Sequence, residues 1–218
     1  MSRTLARIRN NLRRPLPDLA AWIWAKLISA AWRPSIRSVG RGFHVGAGAS
    51  FRGGTCITIG EGFNADRLLW IEAVNRYLDF TFEPSIEIGD RVICSQSVHI
   101  TATSRIVIGD GVLLGSHVHI TDHAHGTYHG ELQDSPAVPP QLRRPSTGRP
   151  VTIEANVWLG DGVVVLPGVT IGAGSIVGAN SVVSRSLPAG VIAVGSPAVP
   201  IRRFDAATGR WLAIEETA

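Results

Sequence analysis

The chain has 218 residues, of which 44% are hydrophobic and 17% are charged. This composition supplies enough apolar side chains for one packed domain and excludes a disordered chain. The formal net charge is +4, and much of the positive surplus lies at the N-terminus, where five arginines precede residue 15: Arg3, Arg7, Arg9, Arg13 and Arg14. Because aromatic and basic residues do not alternate in the rest of the chain, we expect no nucleic-acid partner.

The cysteine content and the lengths of the apolar segments indicate in which cellular compartment the protein works. Cys56 and Cys94 fit neither a zinc site nor a disulfide framework, which favours a reducing environment. No segment offers the roughly 18 consecutive apolar residues that a membrane-spanning helix needs. We therefore expect a cytoplasmic protein.

The N-terminal segment, residues 1–38, joins the arginine-rich tail to an apolar stretch with helical spacing, LAAWIWAKLISAAW. We predict a helix over this stretch with Asp18 as its N-cap. Two roles are open for it. Either the helix covers an end of the domain or packs between subunits, or residues 1–34 make a peripheral contact with an anionic membrane face.

An aliphatic residue recurs at every sixth position through most of the chain. The most regular run is Ile153, Leu159, Val165, Ile171, Val177 and Val183, and two shorter runs precede it: Ile88, Cys94, Ile100 and Ile108, Leu114, Ile120. The residues between them include Gly, Asp and Asn, which tolerate positive φ at a sharp corner. Six residues therefore form one short strand and one corner, and three such units close a triangular coil. The pattern predicts an all-β protein, a parallel β-helix of about six coils.

Three segments leave this period. Residues 72–87 form a modest excursion, and residues 121–150 form a long inserted loop, which in a compact repeat array is usually functional. Residues 201–218 form a C-terminal cap, for which we predict a short helix around Trp211. We expect the β-helix domain, residues 39–200, to carry the functional site.

Histidines concentrate where the chain enters the inserted loop. Five of the seven fall between positions 117 and 129: His117, His119, His123, His125 and His129. In the six-residue register His117 and His119 point away from the core, and His99 lies beside His119 one coil earlier.

The two histidines at the mouth of the loop are the candidates for chemistry. His123 and His125 follow the last inward residue, Ile120, so both lie outside the apolar interior. An imidazole outside the apolar interior can act as a general base near neutral pH. Asp122 is close enough in sequence to fix the tautomer of such a base.

The repeat array, the segment ITDHAHG and the tract over residues 151–203 resemble the hexapeptide-repeat acyltransferases across about residues 36–205. The most similar branch is that of the maltose/galactoside and polysaccharide O-acetyltransferases. The resemblance implies a left-handed β-helix, a homotrimer and acetyl-CoA bound between adjacent β-helices. It also implies acetyl transfer to a sugar hydroxyl, without a metal, in the biosynthesis of a cell-surface polysaccharide or lipopolysaccharide.

The resemblance also implies roles for individual residues on the acceptor side. In the galactoside branch a histidine deprotonates the acceptor hydroxyl, and counting from Ile120 without a gap selects His125 for this role. An alignment with a two-residue gap selects His123 instead, and the other histidine then orients the base or contacts the sugar. Ser95 occupies the position of a polar side chain, often Asn, near the reacting carbonyl. Asp122 and Tyr128 complete the expected acceptor side.

On the donor side, the resemblance places Trp158 and Gly160 along the coenzyme cleft and the backbone of Ala179 beside the pantetheine arm. Ser184 and Arg185 replace a Thr-Lys pair near the phosphates. The resemblance also matches Arg202 to a phosphate-binding arginine of the family.

Two other functions share the same fold class. A γ-class carbonic anhydrase would bind zinc between subunits through outward histidines, here drawn from His99, His117, His119 and His123. The long loop and Trp158 have no role in that reaction. A non-catalytic β-helix scaffold is the second alternative, and it predicts no coenzyme A binding.

Overall fold

The computed structural model describes residues 15–214, and its regular elements are mostly short strands. One helix precedes the strands, α1 (Leu16–Trp32). The strands in chain order are β1 (Ser38–Val39), β2 (His44–Val45), β3 (Ser50–Arg52), β4 (Ile57–Ile59), β5 (Asn64–Ala65), β6 (Trp70–Ala73), β7 (Arg76–Tyr77), β8 (Phe80–Thr81), β9 (Ser85–Ile88), β10 (Ile93–Cys94), β11 (His99–Ala102), β12 (Arg105–Ile108), β13 (Leu113–Leu114), β14 (His119–Thr121), β15 (Val151–Ile153), β16 (Trp158–Leu159), β17 (Val164–Val165), β18 (Thr170–Ile171), β19 (Ile176–Val177), β20 (Val182–Val183), β21 (Val191–Gly195), β22 (Ala198–Asp205) and β23 (Arg210–Ala213).

The strands form three parallel sheets, which are the three faces of a left-handed β-helix. The first face contains β1, β4, β9, β12, β15 and β18; the second runs from β2 through β5, β10, β13, β16 and β19 to β21; the third contains β3, β6, β11, β14, β17 and β20. Coil 1 is thus β1–β3, coil 2 is β4–β6, and coils 3 to 6 begin at β9, β12, β15 and β18. The predicted number of coils and their parallel stacking are confirmed.

The inward aliphatic positions form one continuous core. Ile88, Ile108 and Ile153 are register partners on the first face, and Ile100, Ile120 and Val165 stack on the third. These side chains are almost wholly buried, and each contributes about 1.5–3 kcal/mol by leaving water. The corners need positive φ, which Gly162 and Asn180 adopt at neighbouring corners of coils 5 and 6.

The helix α1 lies against the open edge of coil 1. Ser29 is buried, and its Oγ accepts a hydrogen bond from the Val45 N–H at 2.9 Å. Val45 is in β2, the outermost strand of the second face, so this hydroxyl satisfies a donor that no further coil can pair. The predicted helix is confirmed, but Asp18 is not its N-cap. Pro15 takes that position, because a proline needs no hydrogen bond for its missing N–H at a helix start.

The two insertions interrupt the coils at different places. The excursion after coil 2 is shorter than expected, because the periodic strands extend to Ala73 and resume at Ser85; between them lies the hairpin β7–β8. The long loop leaves coil 4 after Thr121 and returns at Val151, with a single 3-10 turn at Pro140–Leu142.

The predicted C-terminal helix around Trp211 is wrong. β22 runs antiparallel to β21, and β23 runs antiparallel to β22. Trp211 pairs with Phe204, and their ring centres are 5.3 Å apart. The free edge of β21 offers unpaired backbone groups, and a strand satisfies them whereas a helix cannot. Residues 1–14 and 215–218, with the arginine-rich tail, lie outside the described residues.

Candidate active site

A groove of about 490 Å³ runs along the outer surface of the third face. Its floor consists of the outward side chains of β3, β6, β11 and β14, and the first residues of the inserted loop close one end. The groove thus extends from coil 1 to coil 4.

His123 stands at the loop end of this groove and is held by a buried carboxylate. Its Nδ1 lies 3.0 Å from Oδ1 of Asp122, which is fully buried. The backbone N–H of Thr103 donates to Oδ1 at 2.8 Å, and that of Ser104 donates to Oδ2 at 2.7 Å. Because a carboxylate only accepts, the neutral imidazole carries its proton on Nδ1 and leaves Nε2 free to accept one.

His125 is held differently, although it lines the same groove. Its side chain is exposed, and its ring meets the Tyr77 ring edge-on with 5.3 Å between the ring centres. Among residues 15–214, no side chain hydrogen-bonds the His125 imidazole; Tyr128 donates instead to its backbone carbonyl. Of the two histidines, His123 thus has a carboxylate partner for its ring, and His125 has an aromatic neighbour instead.

The groove floor is a stack of rings. Trp70 and His99 lie face to face with 4.2 Å between ring centres, and His99 contacts His119 at 4.7 Å. The Arg52 guanidinium lies 5.4 Å from the centre of the Trp70 ring. The predicted neighbour relation of His99 and His119 is confirmed, whereas His117 is exposed at a corner outside the groove.

Burial keeps both stacked histidines neutral. It lowers the pKa of His99 to about 4, with smaller contributions from the adjacent His119 and His123. Burial, followed by the influence of His123, also lowers the pKa of His119. The floor therefore carries no positive charge from these rings near neutral pH.

Tyr128 organises the inserted loop. Its hydroxyl accepts a hydrogen bond of 2.7 Å from Nη1 of Arg143, which is buried and also donates to the Val138 carbonyl at 2.6 Å. Tyr77 ties the hairpin β7–β8 to the same loop by donating to the Gln141 carbonyl at 2.9 Å. Tyr128 does not line the groove. Sequence analysis missed Arg143, whose role depends on loop geometry.

Trp70 was missed although the register marks it. It precedes an inward isoleucine in coil 2, as His99 does in coil 3. Extending the histidine column by one coil along the six-residue repeat would have found it.

The residues predicted for the coenzyme lie away from His123. Trp158 is half exposed on the second face, in a column with the outward side chains of Ile93 and Leu113. Gly160 and Ala179 meet where two coils pack closely, since a Cβ on Gly160 would lie 2.7 Å from the Ala179 nitrogen.

The other predicted residues lie elsewhere on the surface. Ser184 and Arg185 are exposed just after β20, and Arg202 is exposed in β22. Ser95 faces the space between α1 and the second face, not the histidine groove. A single chain therefore brings Asp122 and His123 together, but not the donor-side residues with them.

Within the described part of a single chain, no three His, Cys, Asp or Glu side chains are arranged to hold a metal ion. The zinc alternative would therefore have to recruit ligands from two subunits.

Comparison with known proteins identifies the family. The model of the bacterial transferase hexapeptide (six repeats) matches residues 150–185. "Putative lipopolysaccharide biosynthesis O-acetyl transferase WbbJ" of Escherichia coli (strain K12) is 37% identical over 156 residues, which are 71% of this chain and 76% of that protein. The chain belongs to the hexapeptide-repeat transferases.

Two further comparisons agree with this family. Galactoside O-acetyltransferase of Escherichia coli (strain K12) is 33% identical over 148 residues, 68% of this chain and 64% of that protein. The fold matches AntD, an N-acyltransferase from Bacillus cereus solved with coenzyme A and dTDP-4-amino-4,6-dideoxyglucose, with a TM-score of 0.64 and 22% identity over 82% of this chain and 90% of that one. Membership of the hexapeptide-repeat transferases confirms the expected enzyme class, an acyltransferase.

Proposed function

We propose that the protein transfers an acetyl group from acetyl-CoA to a hydroxyl group of a sugar. The observation that carries this proposal is the pair of His123 and buried Asp122 at the end of a surface groove. Relatives named as O-acetyltransferases support the reaction type.

The proposed step is a direct transfer. Nε2 of His123 takes the proton of the acceptor hydroxyl while the oxygen attacks the thioester carbonyl. As the carbon–oxygen bond forms and the carbon–sulfur bond breaks, the coenzyme A thiolate leaves and receives that proton from the imidazolium. A positioned base contributes about 10²–10⁴-fold to such a reaction. Asp122 acts as a positioning residue, because it holds the imidazole by Nδ1.

The groove supplies the acceptor site in this proposal. Trp70 and the neutral rings of His99 and His119 offer flat apolar surface, and Glu72 and Arg52 offer polar groups at the far end. Sugars present both kinds of surface. His125, which also lines the groove, is then a contact for the acceptor and not the base.

The donor site requires a second subunit in this proposal. Trp158, Gly160 and Ala179 line the coenzyme cleft, and Ser184, Arg185 and Arg202 contact the phosphates. These residues lie on other surfaces of the chain than His123, so a homotrimer would place the donor cleft of one protomer beside the histidine of the next. Ser95 would then face the reacting carbonyl from the partner's side.

The proposed setting is the cytoplasm, where acetyl-CoA is available, and the proposed product is a surface polysaccharide or lipopolysaccharide. The name of the 37%-identical relative supports this setting.

The test is acceptor-dependent release of free thiol from acetyl-CoA, measured with purified full-length protein over a panel of sugars. We expect release with at least one sugar, a thermal shift with coenzyme A, and no stoichiometric zinc in the protein. Zinc bound in stoichiometric amount would favour the carbonic anhydrase alternative. Absence of coenzyme A binding would favour a scaffold.

A further inference from the structure

The helix α1 presents an apolar surface to solvent on the side opposite the β-helix. Ala25 and Ser29 fix its inner side against coil 1. The opposite side follows the three- and four-residue spacing of one helical face, and every member is apolar: Leu16, Ala20, Ile23, Leu27, Ala30 and Ala31. We call this set the outer face of α1. Leu16 is 81% exposed, Leu27 57% and Ile23 48%.

The charged residues of α1 do not lie on this apolar surface. Between residues 16 and 32 only Asp18 and Lys26 are charged, and helical spacing places Asp18 on the inner side and Lys26 at the flank. A helix on a protein surface normally turns charged residues towards water, whereas a helix that is apolar on all sides is normally covered on all sides. The outer face of α1 therefore needs a partner other than coil 1.

The residues just before α1 indicate the chemistry of that partner. Five arginines fall within the first fourteen residues, and no acidic residue precedes Asp18. Trp24, at the flank of the outer face and exposed, adds an amphipathic ring, which favours the boundary between lipid and water. An anionic lipid surface offers hydrocarbon to the outer face and phosphate groups to the arginines.

We propose that the outer face of α1, with the arginines that precede it, docks the protein on an anionic bilayer surface. The contact is peripheral, since no helix among residues 15–214 is long and apolar enough to cross a bilayer. No residue of α1 lines the histidine groove, so docking leaves that groove accessible. The proposal does not depend on which reaction the groove performs.

The test is flotation of purified full-length protein with vesicles. One set contains phosphatidylcholine alone, and the other contains phosphatidylcholine with phosphatidylglycerol. We expect flotation with the anionic vesicles only, and a loss of at least about tenfold in bound protein for the double variant Ile23→Glu/Leu27→Glu. Both side chains are exposed, so unfolding temperature and oligomeric mass should stay unchanged in that variant.

A matched control separates lipid binding from a general effect of added charge. The control Leu132→Glu/Leu142→Glu places the same two negative charges on exposed leucines of the inserted loop, and it should float like the wild-type protein. The proposal is overturned if the wild-type protein does not float with anionic vesicles, or if Ile23→Glu/Leu27→Glu floats as well as this control. It is also overturned if Ile23→Glu/Leu27→Glu loses its oligomeric state, because a second copy of the chain would then cover the outer face.

Discussion

The third face carries two different outer surfaces on one backbone. In coils 2 to 4 the residue before the inward aliphatic position is Trp70, His99 or His119, whereas in coils 5 and 6 it is Val164 or Val182. The inward residues are aliphatic and buried in all five coils: Ile71, Ile100, Ile120, Val165 and Val183. The strands pair in the same register throughout. The inward positions therefore determine the fold, while the outward positions can change from aliphatic to aromatic without disturbing it.

The largest expected effect comes from removing the proposed base. His123→Ala should lower kcat by about 10²–10⁴-fold, because the proposed base is the imidazole that Asp122 holds by Nδ1 with Nε2 directed to accept the proton. His125→Ala is the matched control, and its kcat should stay within a few-fold of wild type. Thiol release under saturating acceptor measures both. An equal loss in the two variants would contradict the assignment.

The next effect separates the inward from the outward positions. Ile120→Ala removes a fully buried side chain and should lower the free energy of unfolding by about 2–5 kcal/mol. His119→Ala, one residue earlier and facing the groove, should cost less than about 1 kcal/mol. Urea denaturation followed by circular dichroism compares them. Similar losses in the two variants would show that the outer surface also determines the fold.

A smaller effect tests the positioning residue. Asp122→Asn keeps the size of the side chain but cannot accept from His123, Thr103 and Ser104 together, so the imidazole loses its orientation. We expect a fall in kcat of at least about tenfold with KM nearly unchanged.

Asp110→Asn is the control for the loss of a carboxylate that accepts a hydrogen bond from a backbone N–H group. Its Oδ1 accepts from the Asp90 N–H at a corner outside the groove, so the two kinetic constants should not change. A rise in KM without a fall in kcat for Asp122→Asn would assign Asp122 to acceptor binding instead.

The smallest effect concerns pH. Burial lowers the pKa of His99 to about 4, whereas the unfolded chain takes up this proton below about pH 6.5. Between these two pH values the unfolded state binds more protons than the folded state. The folded protein therefore loses stability as the pH falls. The urea midpoint should therefore drop between about pH 7 and pH 5, and His99→Gln should reduce this drop. His117→Gln, at an exposed corner, should leave it as in wild type; a drop of the same size in His99→Gln would contradict the assignment.

Most of the fold could be predicted because the coil repeats one simple constraint. An inward side chain at every sixth residue and a small or flexible residue at the corner define each strand, so the stacking of His99 on His119 followed from counting. The prediction of a C-terminal helix was wrong because that segment does not follow the repeat. Outside the repeat, the conformation around Trp211 depends on the free edge of β21, which local spacing does not reveal.

The sequence could not separate the two candidate bases because both lie just beyond the repeat. Counting gives no orientation there, and what separates His123 from His125 is the buried carboxylate of Asp122. That carboxylate is fixed by backbone groups of Thr103 and Ser104, 19 and 18 residues earlier in the chain. The contact is local in space but not in sequence.

The hydroxyl of Ser29 affects whether one β-helix can pair end to end with another. A stack of identical coils has no inherent end, and its first strand can in principle pair with the last strand of another molecule. At one end of the second face the Ser29 hydroxyl accepts the hydrogen bond of the Val45 N–H. At the other end the antiparallel strand β22 pairs with the free edge of β21. The second face is thus closed at both ends to end-to-end pairing, and replacing Ser29 with an apolar residue would leave the Val45 N–H without this partner.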